Sequence, residues 1–191
     1  MNGPNLILLA GPNGAGKTTA SSDLLAGALG VHHFVNADEI AVQLGGEHTA
    51  IAAGRIMLER LRDLTDQRAN VAFETTLATR SFAPWIRRLK NSGYSFNLFY
   101  FWLPTPEMAI ERVRLRKVLG GHSVPEVDIR RRYHRGLQNF FQIYRPLATA
   151  WEFYDNTRYD PRLIAAGDPE EVSDQALWSR IKKEADRGDS E

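Results

Sequence analysis

Residues 11–18 read Gly-Pro-Asn-Gly-Ala-Gly-Lys-Thr and match the whole of the pattern G-x-x-x-x-G-K-[ST]. The apolar run Leu6–Ala10 comes before it and resembles a buried parallel strand, and a helical pattern follows over Thr18–Leu29. A strand, a glycine-rich loop and a helix in this order direct backbone N–H groups and the helix N-terminus at phosphate. The sequence therefore predicts a nucleotide triphosphate site, with ligands Gly11, Pro12, Asn13, Gly14, Ala15, Gly16, Lys17, Thr18 and Thr19.

Two side chains of this loop have separate expected roles. The Lys17 ammonium would place a positive charge beside the β- and γ-phosphates, and the Thr18 hydroxyl is suited to bind Mg²⁺. ATP and Mg²⁺ are therefore the expected cofactors. The loop predicts what is bound, and it leaves open which compound is phosphorylated.

Composition is that of an ordinary globular protein. The chain has 191 residues, which fits a single domain over 1–191, and it is 43% hydrophobic and 25% charged. A net charge of +1 does not favour nucleic acid as a partner. No apolar run approaches the ~20 residues of a membrane helix, and no signal peptide is recognisable. Cysteine is absent, which excludes thiolate chemistry and agrees with the expected cytoplasmic location.

Apolar runs alternate with helical patterns along the chain. The predicted strands are Leu6–Ala10, His33–Asn36, Val71–Glu74, Phe96–Leu103 and Ala150–Asp155. The predicted helices are Thr18–Leu29, Glu39–Leu44, Thr49–Arg68, Ser81–Asn91, Pro106–Leu119 and Val127–Ala148, with a helical tail over about 157–191. This order predicts an α/β fold, a five-stranded parallel sheet with helices on both faces. Functional residues are then expected where the strands end.

Carboxylates lie at the ends of the second and third predicted strands. Asp38 could accept the proton of a substrate hydroxyl, or it could cap a helix that begins at Glu39. Glu74 could hold Mg²⁺ or bind substrate, or it could be a polar residue where the strand reaches solvent. Thr76 and Arg80 come next, and Arg80 could clamp a substrate phosphate or simply be exposed. Together these residues predict the acceptor side of a kinase site.

Arginines surround a glycine pair within residues 112–132. Arg112 and Arg116 share a helix face, Gly120-Gly121 should end that helix, and Arg130-Arg131-Arg132 lies in the next one. This arrangement predicts a lid that closes over ATP and neutralises charge on the transferred phosphoryl group. A solvated basic face or an RNA-binding patch would have the same composition.

Four stretches, taken together, resemble the zeta toxin family of P-loop kinases. They are Gly-Pro-Asn-Gly-Ala-Gly-Lys-Thr at 11–18, Asn-Ala-Asp-Glu-Ile at 36–40, Phe-Glu-Thr-Thr-Leu-Ala-Thr-Arg at 73–80, and Gly-Gly-His-Ser-Val-Pro with Ile-Arg-Arg-Arg-Tyr at 129–133. The resemblance spans residues 5 to about 145. It implies an ATP-dependent kinase with a nucleoside-kinase-like P-loop fold, and the chain looks most like compact bacterial members.

The resemblance also implies roles for particular residues. Asp38 matches the family's catalytic aspartate and Lys17 its phosphate-loop lysine. Arg116, Arg131 and Arg132 lie in the segment that supplies phosphate-binding arginines. The implied acceptor is a sugar hydroxyl of a sugar nucleotide, UDP-N-acetylglucosamine, and the implied protein partner is an antitoxin.

Three functions remain open from the sequence. The first is a kinase that acts on a sugar nucleotide. The second is a kinase for another hydroxyl acceptor, such as a nucleoside, an antibiotic or an RNA end. The third is a nucleotide-binding switch whose ATP state controls a partner. Asp38 discriminates the two kinase functions from the switch, because a kinase needs a base that faces an open acceptor pocket and a switch needs a group that positions water.

Overall fold

The computed structural model describes residues 3–19, 31, 33–45, 49–119, 121, 124–158, 160–167 and 170–187. The strands in this part of the chain are β1 Asn5–Ala10, β2 His33–Val35, β3 Val71–Thr75, β4 Ser95–Trp102, β5 Ala150–Asp155, β6 Arg162–Gly167 and β7 Glu171–Val172. They form a single seven-stranded sheet in the order β2-β3-β1-β4-β5-β6-β7. Strands β1 to β5 pair in parallel, and β6 and β7 are antiparallel to their neighbours.

The helices connect the strands and cover the sheet. They are α1 Ala37–Leu44, α2 Thr49–Asp66, α3 Phe82–Asn91, α4 Pro106–Val118, α5 Glu126–Asn139, α6 Arg145–Leu147 and α7 Gln175–Arg187. Residues 17–19 are also helical, and the rest of the helix predicted over Thr18–Leu29 lies outside the described residues. A π-helical turn, Phe140–Tyr144, separates α5 from α6. It precedes Pro146, whose missing N–H cannot join the helical ladder, so the single helix predicted over Val127–Ala148 is divided.

The predicted fold class is confirmed, and the number of strands is corrected from five to seven. The two additional strands lie in the segment expected to be a helical tail. Strand β6 buries Ile164 and Ala165 in succession, so it lacks the alternating pattern that signals a strand. Its extended form comes from pairing with the edge of β5, a long-range interaction that local sequence does not encode.

Strand β1 is buried on both faces of the sheet. Leu6 and Leu8 pack into the core under α2, α3 and α7, whereas Ile7 and Leu9 pack into a second core with α4 and α5. All four side chains are at most 1% exposed. This two-sided burial explains the unbroken apolar run, because successive residues of a strand face opposite sides. Among the described helices, none is both long and apolar enough to cross a membrane.

The sheet order brings two strand ends together. Strand β3 lies directly beside β1, and the register pairs Leu9 with Glu74 and Ala10 with Thr75. Parallel strands end at the same edge of a sheet, so the loop after Ala10 and the loop after Thr75 meet there. This edge is where the candidate site lies.

Candidate active site

The phosphate loop has a backbone that favours glycine at three sharply turned positions, Gly11, Gly14 and Gly16. Gly11 has a φ of 141° and Gly14 a φ of 77°, both in the region that favours glycine. A Cβ on Gly11 would lie 2.2 Å from the Phe101 carbonyl oxygen, and one on Gly14 would lie 2.9 Å from that of Ala109. The glycines therefore allow the loop to pack tightly against β4 and α4.

The loop is also tied to the end of β5. The Asn156 side-chain amide donates to the Ala15 carbonyl oxygen at 2.6 Å. The Arg112 guanidinium in turn donates to the carbonyl oxygens of Asn156 and Thr157, at 3.0 and 2.7 Å. Sequence reasoning assigned no role to Asn156, although it lies at the end of a strand, the kind of position that drew attention to Asp38 and Glu74.

Lys17 is held inside this loop. Its ammonium donates to the carbonyl oxygens of Gly11 and Pro12, at 2.9 and 3.0 Å. Burial lowers the pKa of Lys17 from its ordinary value, and the carboxylates of Glu74 and Asp38 act in the opposite direction. The Lys17 ammonium is thus a partly desolvated cation with two carboxylates nearby. An anionic phosphate bound at the loop would give this cation a further partner of opposite charge.

Glu74 joins the loop to β3. The Thr18 hydroxyl donates to both carboxylate oxygens of Glu74, at 3.2 and 3.1 Å, and the Asn36 side-chain amide donates to one of them at 2.7 Å. Burial raises the pKa of Glu74, while Lys17 and the Thr18 hydrogen bond lower it. A hydroxyl beside a carboxylate offers the hard oxygen ligands that Mg²⁺ prefers, so these two residues fit the predicted metal site.

Replacing Glu74 with glutamine is expected to raise the melting temperature of the ligand-free protein at neutral pH. Because burial raises the pKa of Glu74, its charged form costs more in the folded state than in the unfolded state. This cost is absent below the ordinary pKa of 4.5, where both states are protonated, and is complete above the raised folded pKa. The gain in melting temperature should therefore grow as the pH rises through that window.

Thermal denaturation of both proteins across this pH range measures the effect. A gain of equal size at acid and neutral pH would mean that desolvation of the carboxylate is not its cause. A lower melting temperature for the variant at neutral pH would mean that the hydrogen bonds to Glu74 outweigh the cost of burying its charge.

The helix that carries Asp38 begins earlier than predicted. Helix α1 starts at Ala37, and the Asn36 side-chain oxygen caps it by accepting from the Asp38 backbone N–H at 2.8 Å. The interpretation of Asp38 as the N-cap is therefore wrong. Asn36 fulfils that role, and the exposed Asp38 side chain lies in the first helical turn. Sequence reasoning missed Asn36, although asparagine directly before a helix is a strong capping signal.

A cavity of about 890 Å³ connects these groups. Of the predicted site residues, it is lined by Asn13, Gly14, Gly16, Lys17, Thr18, Thr19, Asp38, Glu74, Thr76, Arg116 and Arg132. Gly11, Pro12 and Ala15 are buried and are not part of the lining. The structure thus places the loop lysine, the strand-end carboxylates and two arginines around one space.

Two predicted arginines lie apart from this cavity lining. Arg80 donates from Nε to the Asn139 side-chain oxygen at 3.3 Å, and Arg131 forms an ion pair with Asp128 at 2.6 Å. Asn139 also donates to the Leu77 carbonyl oxygen at 2.7 Å, where the chain turns with a φ of 57°. Arg80 is therefore associated with a cluster that holds the turn after β3.

The predicted lid is anchored at its start. Helix α4 buries Ala109, Ile110 and Val113 in the core, and Arg112 is bonded to the loop after β5 as described above. Gly121 donates to the Arg116 carbonyl oxygen and closes the helix end. Residues 120, 122 and 123 lie outside the described residues. Closure of this segment over ATP stays a prediction.

Comparison with known proteins identifies a family, a relative of similar sequence and solved structures of similar fold. The family model described as Zeta toxin matches residues 2–147. An uncharacterized protein of Haemophilus influenzae is 27% identical over 130 residues, which cover 66% of this chain and 91% of that protein.

The solved structures extend the similarity to nearly the whole chain. A chain of the AvrRxo1-ORF1:-ORF2 complex with ATP superposes with a TM-score of 0.77 at 18% identity, over 94% of this chain. This chain spans 64% of the length of that one. A chain of the PezAT toxin–antitoxin system of Streptococcus pneumoniae gives a TM-score of 0.67 at 16% identity, over 98% of this chain and 86% of the other. At such identities the likeness establishes the fold alone.

Proposed function

This chain belongs to the zeta toxin family, and from that premise we propose that it is an ATP- and Mg²⁺-dependent kinase of a sugar hydroxyl. UDP-N-acetylglucosamine is the first candidate for the acceptor. The observation that carries the proposal is the position of Asp38. Asn36 caps α1, so the Asp38 carboxylate is left to line the same cavity as Lys17, Thr18 and Glu74. A carboxylate beside a phosphate loop and open to a cavity is what a hydroxyl acceptor requires.

In the proposed reaction, Asp38 accepts the proton of the acceptor hydroxyl. The hydroxyl oxygen forms a bond to the γ-phosphorus of ATP, and the bond between that phosphorus and the β–γ bridging oxygen breaks, which releases ADP. Lys17 neutralises charge on the β- and γ-phosphates, and Arg116 and Arg132, which line the cavity, would neutralise the transferred group. Thr18 and Glu74 would hold Mg²⁺, which supplies further charge neutralisation when bound.

We also propose an antitoxin partner and a cytoplasmic location. PezAT is a toxin–antitoxin system, which supports an antitoxin as a partner of this chain. A cytoplasmic location would give it access to ATP and to sugar nucleotides.

Mass spectrometry of a phosphorylation reaction tests the proposal. Purified protein is incubated with ATP, Mg²⁺ and, in separate reactions, UDP-N-acetylglucosamine, uridine, an aminoglycoside and an RNA with a 5′-hydroxyl. A gain of one phosphoryl group on the sugar nucleotide is the expected result. Transfer only to one of the other three would identify a kinase with a different acceptor. ATP hydrolysis that no acceptor stimulates would favour the switch.

A further inference from the structure

One face of α2 lines the cavity without contributing to the phosphate site. Ile51, Gly54, Arg55 and Leu58 are spaced i, i+3, i+4 and i+7, so they lie along one side of the helix, and all four line the cavity that contains Lys17 and Asp38. We call this set the α2 face. The neighbouring side of the helix packs in the core through Ala53 and Leu61. The α2 face is therefore directed at the cavity by the packing of the helix itself.

The α2 face carries two apolar side chains, Ile51 and Leu58, where solvent would favour polar ones. Ile51 is 73% exposed and Leu58 is 36% exposed, although both line a cavity that holds charged groups. Leu115 of α4 and Leu119, the residue that follows this helix, line the same cavity, and they are 55% and 87% exposed. Exposed apolar side chains that line one cavity are typical of a ligand site.

Gly54 creates an open notch in the α2 face. In the described part of the chain, apart from the two adjacent residues and the backbone of the helix itself, no atom lies within 4 Å of the position that a Cβ on Gly54 would occupy, and its φ is not in the left-handed region. Neither steric contact nor backbone geometry therefore requires glycine here, although glycine in a helix interior is destabilising relative to alanine. The missing side chain leaves space between Ile51 and Leu58 on the cavity side.

We propose that the α2 face binds an apolar, non-reacting part of the phosphoryl acceptor, and that Gly54 determines which acceptors fit. The inference rests on the proposed kinase function for the reaction itself. It adds a substrate class: a hydroxylated anion that carries an apolar ring or acyl group, rather than a simple polyol. Leu58 and Ile51 would contact the apolar part, while Arg55, which lies between them on the same face, would contact the anionic part.

The size and continuity of the cavity support a small-molecule occupant. Its volume of about 890 Å³ is near the upper end of the range for small-ligand pockets, about 300–1,000 Å³. The same cavity extends from Lys17 to Leu58, so a ligand on the α2 face would share it with the triphosphate of ATP. If a helix of a partner protein occupied the α2 face instead, it would be expected to cover this face and to exclude the acceptor from the cavity.

A binding experiment tests the subsite without depending on catalysis. The probe is anilinonaphthalene sulfonate, an aromatic anion, titrated against the protein in the presence of a saturating non-hydrolysable ATP analogue. Gly54→Leu fills the notch with a side chain that favours helix, and Gly54→Ala is an intermediate step. Ala52→Leu is the matched control, because it adds the same side chain at an exposed position of α2 outside the cavity lining. Melting temperatures verify that each variant is folded.

The inference predicts that Gly54→Leu weakens probe binding by at least about tenfold, as expected when a pocket of this kind loses its space. Gly54→Ala should weaken it less, and Ala52→Leu should not change it. Equal probe binding by Gly54→Leu and wild type would overturn the subsite. Equal loss in Gly54→Leu and Ala52→Leu would also overturn it, because the effect would not come from the notch.

Kinetics with UDP-N-acetylglucosamine then decide whether the subsite serves the acceptor. The ratio of the acceptor KM to the ATP KM should rise at least about tenfold in Gly54→Leu. A normal ratio despite lost probe binding would overturn the assignment to the acceptor. If wild type does not phosphorylate this compound, the proposed function loses its first candidate. The apolar subsite is then decided by the probe titration alone.

Discussion

Replacing Lys17 with alanine is expected to abolish phosphoryl transfer. The Lys17 ammonium donates to the carbonyl oxygens of Gly11 and Pro12 in the phosphate loop, and Lys17 is part of the cavity lining. Cations that stabilise charge on a transferred phosphoryl group are worth about 10³–10⁵ in rate. We expect a loss of at least this size in kcat, measured by formation of ADP and of phosphorylated acceptor.

The expected loss should not come from unfolding. Burial lowers the pKa of Lys17, which means that the folded protein pays for keeping this ammonium charged. Lys17→Met keeps most of the apolar stem without the charge, so it is the matched control for packing. Both variants should melt as cooperatively as wild type. Full transfer by either folded variant would show that this loop does not bind the reacting phosphates.

Asp38→Asn is expected to keep ATP binding and to lose transfer by about 10²–10⁴-fold, the usual contribution of a general base. The substitution preserves shape and removes only the ability to accept a proton. Because Asn36 rather than Asp38 caps α1, the helix should keep its N-terminus. Binding of a fluorescent ATP analogue and single-turnover transfer measure the two effects separately.

Glu39 provides the control for Asp38. It is the next residue of the same helix, is also exposed and acidic in the first turn, and is not part of the cavity lining. Glu39→Gln removes the same charge from the helix N-terminus and should leave transfer within a few-fold of wild type. If Asp38→Asn and Glu39→Gln have equal small effects, Asp38 contributes only to the helix dipole and is not the base.

The charged side chains of the site are expected to serve the reaction at a cost in folding stability. Changes at Lys17 and Asp38 should reveal the contribution to rate, and the change at Glu74 should reveal the cost in stability. Lys17 and Glu74 are each penalised by burial, and each is partly stabilised by the other. A site that binds a triphosphate must keep such charges desolvated before the ligand arrives. The desolvated charges lower the free energy of unfolding of the ligand-free protein, and we expect this cost to decrease when Glu74 is neutralised.

The sequence by itself determined the strand, loop and helix start over residues 5–19. The strand is an unbroken apolar run and the loop contains closely spaced glycines at positive φ. Both features belong to consecutive residues, so a local pattern is enough to predict them. Local patterns also predicted all five parallel strands, and the observed ends of these strands lie within one residue of the predicted ends. Local patterns did not predict β6, which is a strand because β5 pairs with it.

Tertiary structure alone decided which polar residues meet. Thr18 and Glu74 are 56 residues apart, and they touch because β3 inserts beside β1 with Leu9 paired to Glu74. Arg131 and Arg132 are adjacent, yet only Arg132 lines the cavity, since one residue turns a helix by about 100° and the packing of α5 selects the inward side. Tertiary packing also decides the surroundings of the α2 face. Its spacing is visible in the sequence, but whether that side of a helix meets core, solvent or ligand depends on where neighbouring elements place it.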